Sequence, residues 1–266
     1  MSQPDNYEAA LNANESVAEF SDNRNGLLHR FQHALHVTPA LVPLIVLVAA
    51  IVIFGLLLGS RFFSPFAMTL ILQQVQIVGI VAAAQSLVIL TAGIDLSVGA
   101  IMVFSSVIMG QLTFRYGIPP AFAIMLGLMA GTAMGAFSGW LVARVKLPPF
   151  IVTLGMWQIV LAANFLYSRN ETIRSQDIEA NAAILKFFGT RFEIGGAVFT
   201  YGVVFMLLLF LILAYCLKNT AWGRHVYAIG DDPEAAELSG VNVKRTLISV
   251  YMLSGLICAF AGWALI

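Results

Sequence analysis

Seven stretches of the chain are almost wholly apolar, and each approaches the roughly 20 residues that one helix needs to cross a bilayer. They cover about 40–59, 66–90, 98–114, 119–142, 148–168, 199–217 and 247–266. The connections are short, apart from 169–198 and 218–246, and from residue 40 onward every Lys and Arg falls in a connection. Backbone crossing lipid must satisfy its own hydrogen bonds, so spans of this length read as helices. The pattern predicts an all-α, polytopic transmembrane helical bundle with about seven spans. Residues 1–38 are polar and form a cytoplasmic tail in this reading; 39–266 form the membrane domain. The tail has neither the basic start nor the early apolar core of a secretory signal.

One span shows its packing face directly. Gly127, Gly131, Gly135 and Gly139 recur every fourth residue, which lines them up along one side of a helix. Such a groove lets another backbone approach closely, as a static joint or a sliding one.

Composition agrees with the pattern. The chain has 266 residues, 59% hydrophobic and 11% charged. That is too little charge to cover a water-facing surface, where about a quarter of residues are charged. The net charge of zero gives no support for nucleic-acid binding. Cys216 and Cys258 both lie in apolar runs, which speaks for buried thiols rather than a disulfide framework. His29, His33 and His36 have a helical spacing that could hold a metal, but a polar helix face explains them without one, and no metal or cofactor is expected. With the N-terminus inside, eight Lys and Arg residues flank the spans on the cytoplasmic side and six on the other. Phe114, Tyr116, Tyr167, Phe199 and Tyr201 then gather at the outer ends as an interfacial belt.

Between Arg61 and Arg115 the only charged residue is Asp95. It sits at a break between spans, in "TAGIDLSVGA". Gly93 is expected to adopt the left-handed conformation that ends the preceding helix. Asp95 or Ser97 is expected to cap the next one, with Gly99 allowing that end to pack closely. An ion or substrate site is the alternative for an intramembrane carboxylate. The polar residues inside the spans are neutral. Gln74 and Gln85, three helical turns apart, share a face, and Ser105, Gln158 and Asn164 are further candidates for one translocation pathway suited to a polyhydroxylated solute. Interhelical hydrogen bonding is the competing account of each.

The connection 218–246 carries a helix of its own. Asp231 or Asp232 caps it, Pro233 occupies its first turn, "EAAEL" propagates it and Gly240 ends it. Trp222, Val226, Tyr227 and Ile229 are too apolar for an idle loop.

Three segments, "VILTAGIDLSVGAIM", "LPPFIVTLGM" and "WGRHVYAIGDDPEAAELSGVNVKRTLISVYMLSG", resemble the permease family of bacterial ATP-binding-cassette sugar importers, and with the spans between them the resemblance covers 40–266. One departure is visible: the family form has two glycines before Ile-Asp, and here Ala92 precedes Gly93. The resemblance implies a multi-pass permease of the bacterial inner membrane, two permease copies, a cytoplasmic ATPase and a periplasmic sugar-binding protein. It implies about ten spans, so that this chain would be part of a longer one. It assigns contact with the ATPase to Glu234, Ala235, Ala236 and Gly240, with Arg224 at the edge. No Gly-x-x-x-x-Gly-Lys-Ser/Thr loop is present for ATP, so the chain is expected to be a transport subunit and not an enzyme. A secondary carrier or channel for a neutral solute, or a branched-chain amino-acid permease of the same wider class, are the alternatives.

Overall fold

The computed structural model describes residues 40–194 and 197–266, with Leu35, Val37 and Thr38; the rest of the polar N-terminal segment, with the histidine spacing of 29–36, lies outside the described residues. The chain divides into two units, at Phe63 and Ser64. The first contains α1 (Leu41–Leu58), which buries none of its residues. A helix apolar on every side suits a lipid surrounding. A short 3₁₀ turn, Gly59–Arg61, follows it, and the rings of Phe54, Phe62 and Phe63 pack in sequence.

The second unit is the bundle. Its long helices are α2 (Pro65–Ile89), α3 (Val98–Phe114), α4 (Pro120–Trp140), α5 (Pro149–Ser168), α7 (Tyr201–Asn219) and α10 (Val243–Leu265). With α1, these are the seven predicted spans. Proline sets three of the starts. Ser64 accepts a hydrogen bond from Ala67 N at 3.2 Å with Pro65 in the first turn of α2. Pro119 and Pro148 stay extended while Pro120 and Pro149 begin α4 and α5. α3 has 17 residues, about 25 Å of helix and a little short of a ~30 Å hydrocarbon layer.

The unit is built around α10, the most buried of its spans. The reason is glycine on both partners. Gly127, Gly131, Gly135 and Gly139 of α4 are all buried. A Cβ on Gly131 would lie 2.8 Å from the carbonyl oxygen of Gly255, and one on Gly135 3.0 Å from Gly255 Cα. The approach is mutual, since a Cβ on Gly255 would lie 3.0 Å from Gly135 Cα. Gly262, two turns further on, meets α3 in the same way, with Ser106 N at 3.2 Å from its ideal Cβ. Apolar side chains gain little by leaving lipid for a helix interface, so this backbone proximity carries the packing.

Two boundaries differ from the sequence expectation. α10 begins at Val243, not 247, because Asn242 accepts a hydrogen bond from Arg245 N at 3.0 Å and caps it. Lys244 and Arg245 therefore lie in its first turn. The connection 169–200 is not plain loop. It holds α6 (Ser175–Asn181), a 3₁₀ segment (Ala183–Gly189) and a hairpin of β1 (Arg191–Ile194) and β2 (Ala197–Thr200) in antiparallel register, Phe192 opposite Phe199. Val198 N donates to Thr69 Oγ1 at 3.1 Å and Thr200 Oγ1 to Gln76 Oε1 at 2.5 Å, tying the hairpin to α2. Trp263 Nε1 donates to Leu185 O at 3.0 Å, tying the 3₁₀ segment to α10. These pieces are too short to show a period in the sequence.

Candidate functional site

One end of the bundle is made by the 90–97 turn, the start of α5, and two short helices, α8 (Ala221–Asp231) and α9 (Pro233–Leu238). It contains the longest of the sequence motifs.

The turn after α2 closes with two crossed hydrogen bonds, Gly93 N to Val88 O at 3.1 Å and Ala92 N to Ile89 O at 2.9 Å. This is the pattern that ends a helix through one left-handed residue. That residue is Ala92, with φ 55°, and not Gly93. The expectation for Gly93 is corrected: it is needed for space. A Cβ on it would lie 2.9 Å from the Tyr251 hydroxyl and 3.0 Å from Val88 Cγ1. Thr153 Oγ1 of α5 donates to Ile94 O at 3.1 Å and holds the other side.

Asp95 is buried, 3% exposed. Its Oδ1 accepts from Ser97 N at 2.8 Å and from Ser97 Oγ at 2.6 Å. Ser97 precedes α3 but makes no side-chain cap bond. Asp95 thus fixes the residue that leads into α3 and does not itself accept from the helix's free N–H groups, as a cap would. Burial pushes its carboxyl above the ordinary range, and the two hydrogen bonds from Ser97 pull the other way. Gly99, expected to permit close packing, faces open space; with Ala100, Trp157 and Asn164 it lines a cavity of about 190 Å³ between α3 and α5.

α8 rests on this turn. It begins where Thr220 accepts from Gly223 N at 3.1 Å, and Val226 and Ile229 are fully buried beneath it. A Cβ on Gly230 would lie 3.5 Å from Thr91 Cα and would strike the carbonyl of Leu90. Trp222 Nε1 donates to Ser249 Oγ of α10 at 2.8 Å. α9 then starts at its expected signals: Asp232 Oδ1 accepts from Glu234 N at 2.9 Å and Ala235 N at 3.1 Å, with Pro233 in the first turn. Gly240, φ 87°, ends it, with Val241 N bonded to Ala236 O and Gly240 N to Glu237 O, both at 3.0 Å.

Arg224, Glu234, Ala235 and Gly240 are exposed here, but Ala236 is 5% exposed and seated on its own chain. It therefore leaves the set of residues that can meet a partner. Leu238, at the end of α9, is 90% exposed. Sequence reasoning passes over it because a leucine in a short amphipathic run reads as the buried face. It likewise misses Gly223, Gly230 and Tyr251; only contacts distant in sequence reveal them.

The expected pathway residues are not gathered in one cavity. Gln74 and Gln158 are exposed on α2 and α5, Gln85 is half-buried on α2, and Asn164 lies in the α3–α5 cavity. Ser105 is fully buried, with its Oγ 2.9 Å from where a Gly131 Cβ would be, so it belongs to the α3–α4 joint.

Comparison with known proteins agrees with this architecture. The family described as branched-chain amino acid transport system, permease component, matches residues 67–266. The fructose import permease protein FrcC of Rhizobium meliloti is 70% identical over 250 residues, 94% of this chain and 69% of the relative. The ribose import permease protein RbsC of Bacillus subtilis (strain 168) is 34% identical over 212 residues, 80% of this chain and 64% of that one. RbsC of Escherichia coli (strain K12) is 33% identical over 225 residues, 84% and 67% respectively. The chain spans about two thirds of the length of these relatives. No solved structure matches it. Seven apolar helices among the described residues, a glycine-packed bundle and a match over most of the chain lead to one conclusion: this chain belongs to the permease family that includes the fructose and ribose import permeases.

Proposed function

We propose that the chain is the membrane-spanning subunit of an inner-membrane importer for a neutral monosaccharide, fructose before ribose, driven by a separate ATPase. The observation that carries this is the 70% identity over 94% of the chain to a fructose import permease. The ribose permeases stand much further away, at 34% and 33%.

In this reading the N-terminus and the end bearing the 90–97 turn face the cytoplasm, a periplasmic binding protein delivers sugar at the opposite end, and two permease copies complete the assembly in lipid. α9 is the ATPase contact. It is a short helix fixed at both ends, with Leu238 presented to a groove of the partner and Arg224 and Glu234 beside it for polar contacts. Ala236 is the seat through which α9 bears on its own bundle. Motion of the ATPase would pass from α9 to α8, from Gly230 to the carbonyl of Leu90, and so to the ends of α2 and α3. The chain forms and breaks no covalent bonds; it positions helices.

Liposomes containing the permease, its ATPase and the binding protein test this reading. Labelled D-fructose should accumulate inside, dependent on ATP and on the binding protein, and excess unlabelled ribose should compete poorly. Uptake without ATP would support a secondary carrier, and ribose uptake at a greater rate would move the substrate.

A further inference from the structure

Among the described residues, Tyr251 of α10 is the largest fully buried side chain, 1% exposed, and its hydroxyl has no hydrogen-bond partner. A buried tyrosine ordinarily finds a partner for its O–H, and leaving the bond unmade carries a desolvation penalty. The other unpartnered hydroxyls of α3, α4 and α10, those of Ser105, Ser138 and Ser254, can turn about χ1 towards the carbonyl one turn back in their own helix. Tyr251 has no such recourse. Its ring is rigid and crowded at both ends. A Cβ on Gly139 of α4 would lie 2.8 Å from Tyr251 Cβ, and one on Gly93 2.9 Å from its hydroxyl. The side chain therefore runs from the α4–α10 joint to the 90–97 turn.

Two acceptors stand at that end. Val88 O is 3.2 Å from the ideal Gly93 Cβ. It already accepts from Thr91 N at 3.0 Å, Thr91 Oγ1 at 2.8 Å and Gly93 N at 3.1 Å, more donors than its two lone pairs. The other acceptor is Asp95. Its Oδ1 is taken twice by Ser97, and Oδ2 accepts nothing among the described residues. The Tyr251 hydroxyl lies in the field of this carboxylate without bonding to it. The two groups sit on different elements, and α8 bears on the one that carries Asp95, with the ideal Cβ of Gly230 3.5 Å from Thr91 Cα. Movement of the turn towards α10 would convert the approach into an O–H···O⁻ bond, about twice as strong as a neutral one.

We infer that Tyr251 is a positioning residue of the transport cycle, its hydroxyl unbonded in this conformation and donating to Asp95 Oδ2 when α8 drives the 90–97 turn towards α10. The bond then fastens the turn to α10 and, through the contacts of Gly135 and Gly139, to α4. Motion that enters at the ends of α2 and α3 thereby reaches the glycine-packed joint. The inference rests on the importer reading above and adds the step that carries motion from the turn into the bundle.

Tyr251→Phe tests it, since this change keeps the ring and removes only the hydroxyl. In detergent the variant should melt at or above the temperature of the natural permease, because no bond is lost from the resting fold. In liposomes with the ATPase and the binding protein, labelled D-fructose moved per ATP hydrolysed should fall about tenfold, the loss expected for one hydrogen bond to a charged group. Asp95→Asn should lower the same ratio, and Tyr251→Phe added to it should cost little more. The two changes should thus be non-additive in the sugar-to-ATP ratio and additive in melting temperature. Tyr215→Phe, on an exposed position of α7, is the control and should alter neither. A Tyr251→Phe permease with a natural melting temperature and a natural sugar-to-ATP ratio would overturn the inference. So would one that fails to fold or melts well below the natural protein, since the hydroxyl would then be bonded in the resting fold. Both results leave the importer reading intact. Absence of any fructose uptake by the natural chain would overturn the importer reading first.

Discussion

Two turns in this protein end their helices with the same pair of hydrogen bonds, yet they are made of different residues. After α9 the left-handed position is Gly240, exposed and touching nothing within 4 Å of its ideal Cβ. After α2 it is Ala92, and the glycine comes one residue later, under the hydroxyl of Tyr251. A left-handed alanine costs about 1–2 kcal/mol relative to the ordinary helical region. At the α2 turn, Tyr251, the hydrogen bond from Thr153 and the backbone of α8 all bear on the same short segment, and together they impose the conformation. At the α9 turn nothing does, so the residue itself must make the conformation easy. The buried turn is specified by its neighbours and the exposed turn by its own sequence.

That contrast can be broken most sharply at Gly93. Gly93→Ala inserts a methyl group against Tyr251 and Val88, with an overpacking cost of about 1–3 kcal/mol. Folded permease recovered from membranes should drop steeply, and pairing the change with Tyr251→Phe should recover part of it. Gly240→Val is next. It forces a β-branched residue into the left-handed region at about 1–2 kcal/mol, but only α9 should suffer. The protein should insert and melt nearly normally while ATP hydrolysis loses its dependence on the binding protein. Ala92→Gly should act in the opposite direction. It removes the left-handed penalty and loses some of that gain to unfolded-chain entropy, for a net rise of a few tenths to ~1 kcal/mol, seen as a higher melting temperature in detergent.

The smallest effect concerns Asp95. Its carboxyl is raised by burial, so the unfolded chain releases that proton at lower pH than the folded one. The fold therefore loses stability as pH rises through the ordinary carboxylate range, about 4 and above. Asp95→Asn keeps an oxygen for Ser97 and removes the buried charge. Melting temperatures of the variant and the natural protein should be close at pH 4 and separate in favour of the variant towards pH 7. A stability deficit of the variant that is small at pH 4 and grows towards pH 7 would show that the negative charge itself holds the turn.

How much of this is legible in the sequence follows from where each instruction resides. The spans, the start of α9 at Asp232 and Pro233 and its end at Gly240 depend on residues within a few positions of one another, and the sequence shows them within a few residues of where the structure has them. The glycine stripe reads as a contact face, but its partner, Gly255, lies over a hundred residues away and leaves no local trace. Gly93 takes the wrong task in a sequence reading for the same reason, since its constraint comes from Tyr251. Gly99 is expected to be crowded and is not. Ala236 and Leu238 sit two positions apart in a six-residue helix. Which of them faces the bundle depends on how α8 and α10 hold that helix, and one and a half turns show no reliable period.

The central claim, that α9 is where a separate ATPase engages this permease, is tested most directly by cross-linking. Single cysteines replacing Leu238 or Ala236 in an otherwise cysteine-free permease, assembled with its ATPase, should behave oppositely. The cysteine at 238 should form a covalent adduct with the ATPase in high yield, and the one at 236, buried against its own chain, should form little. Strong labelling of position 238 from the periplasmic side only, with no adduct to the ATPase, would contradict both the orientation and the coupling role.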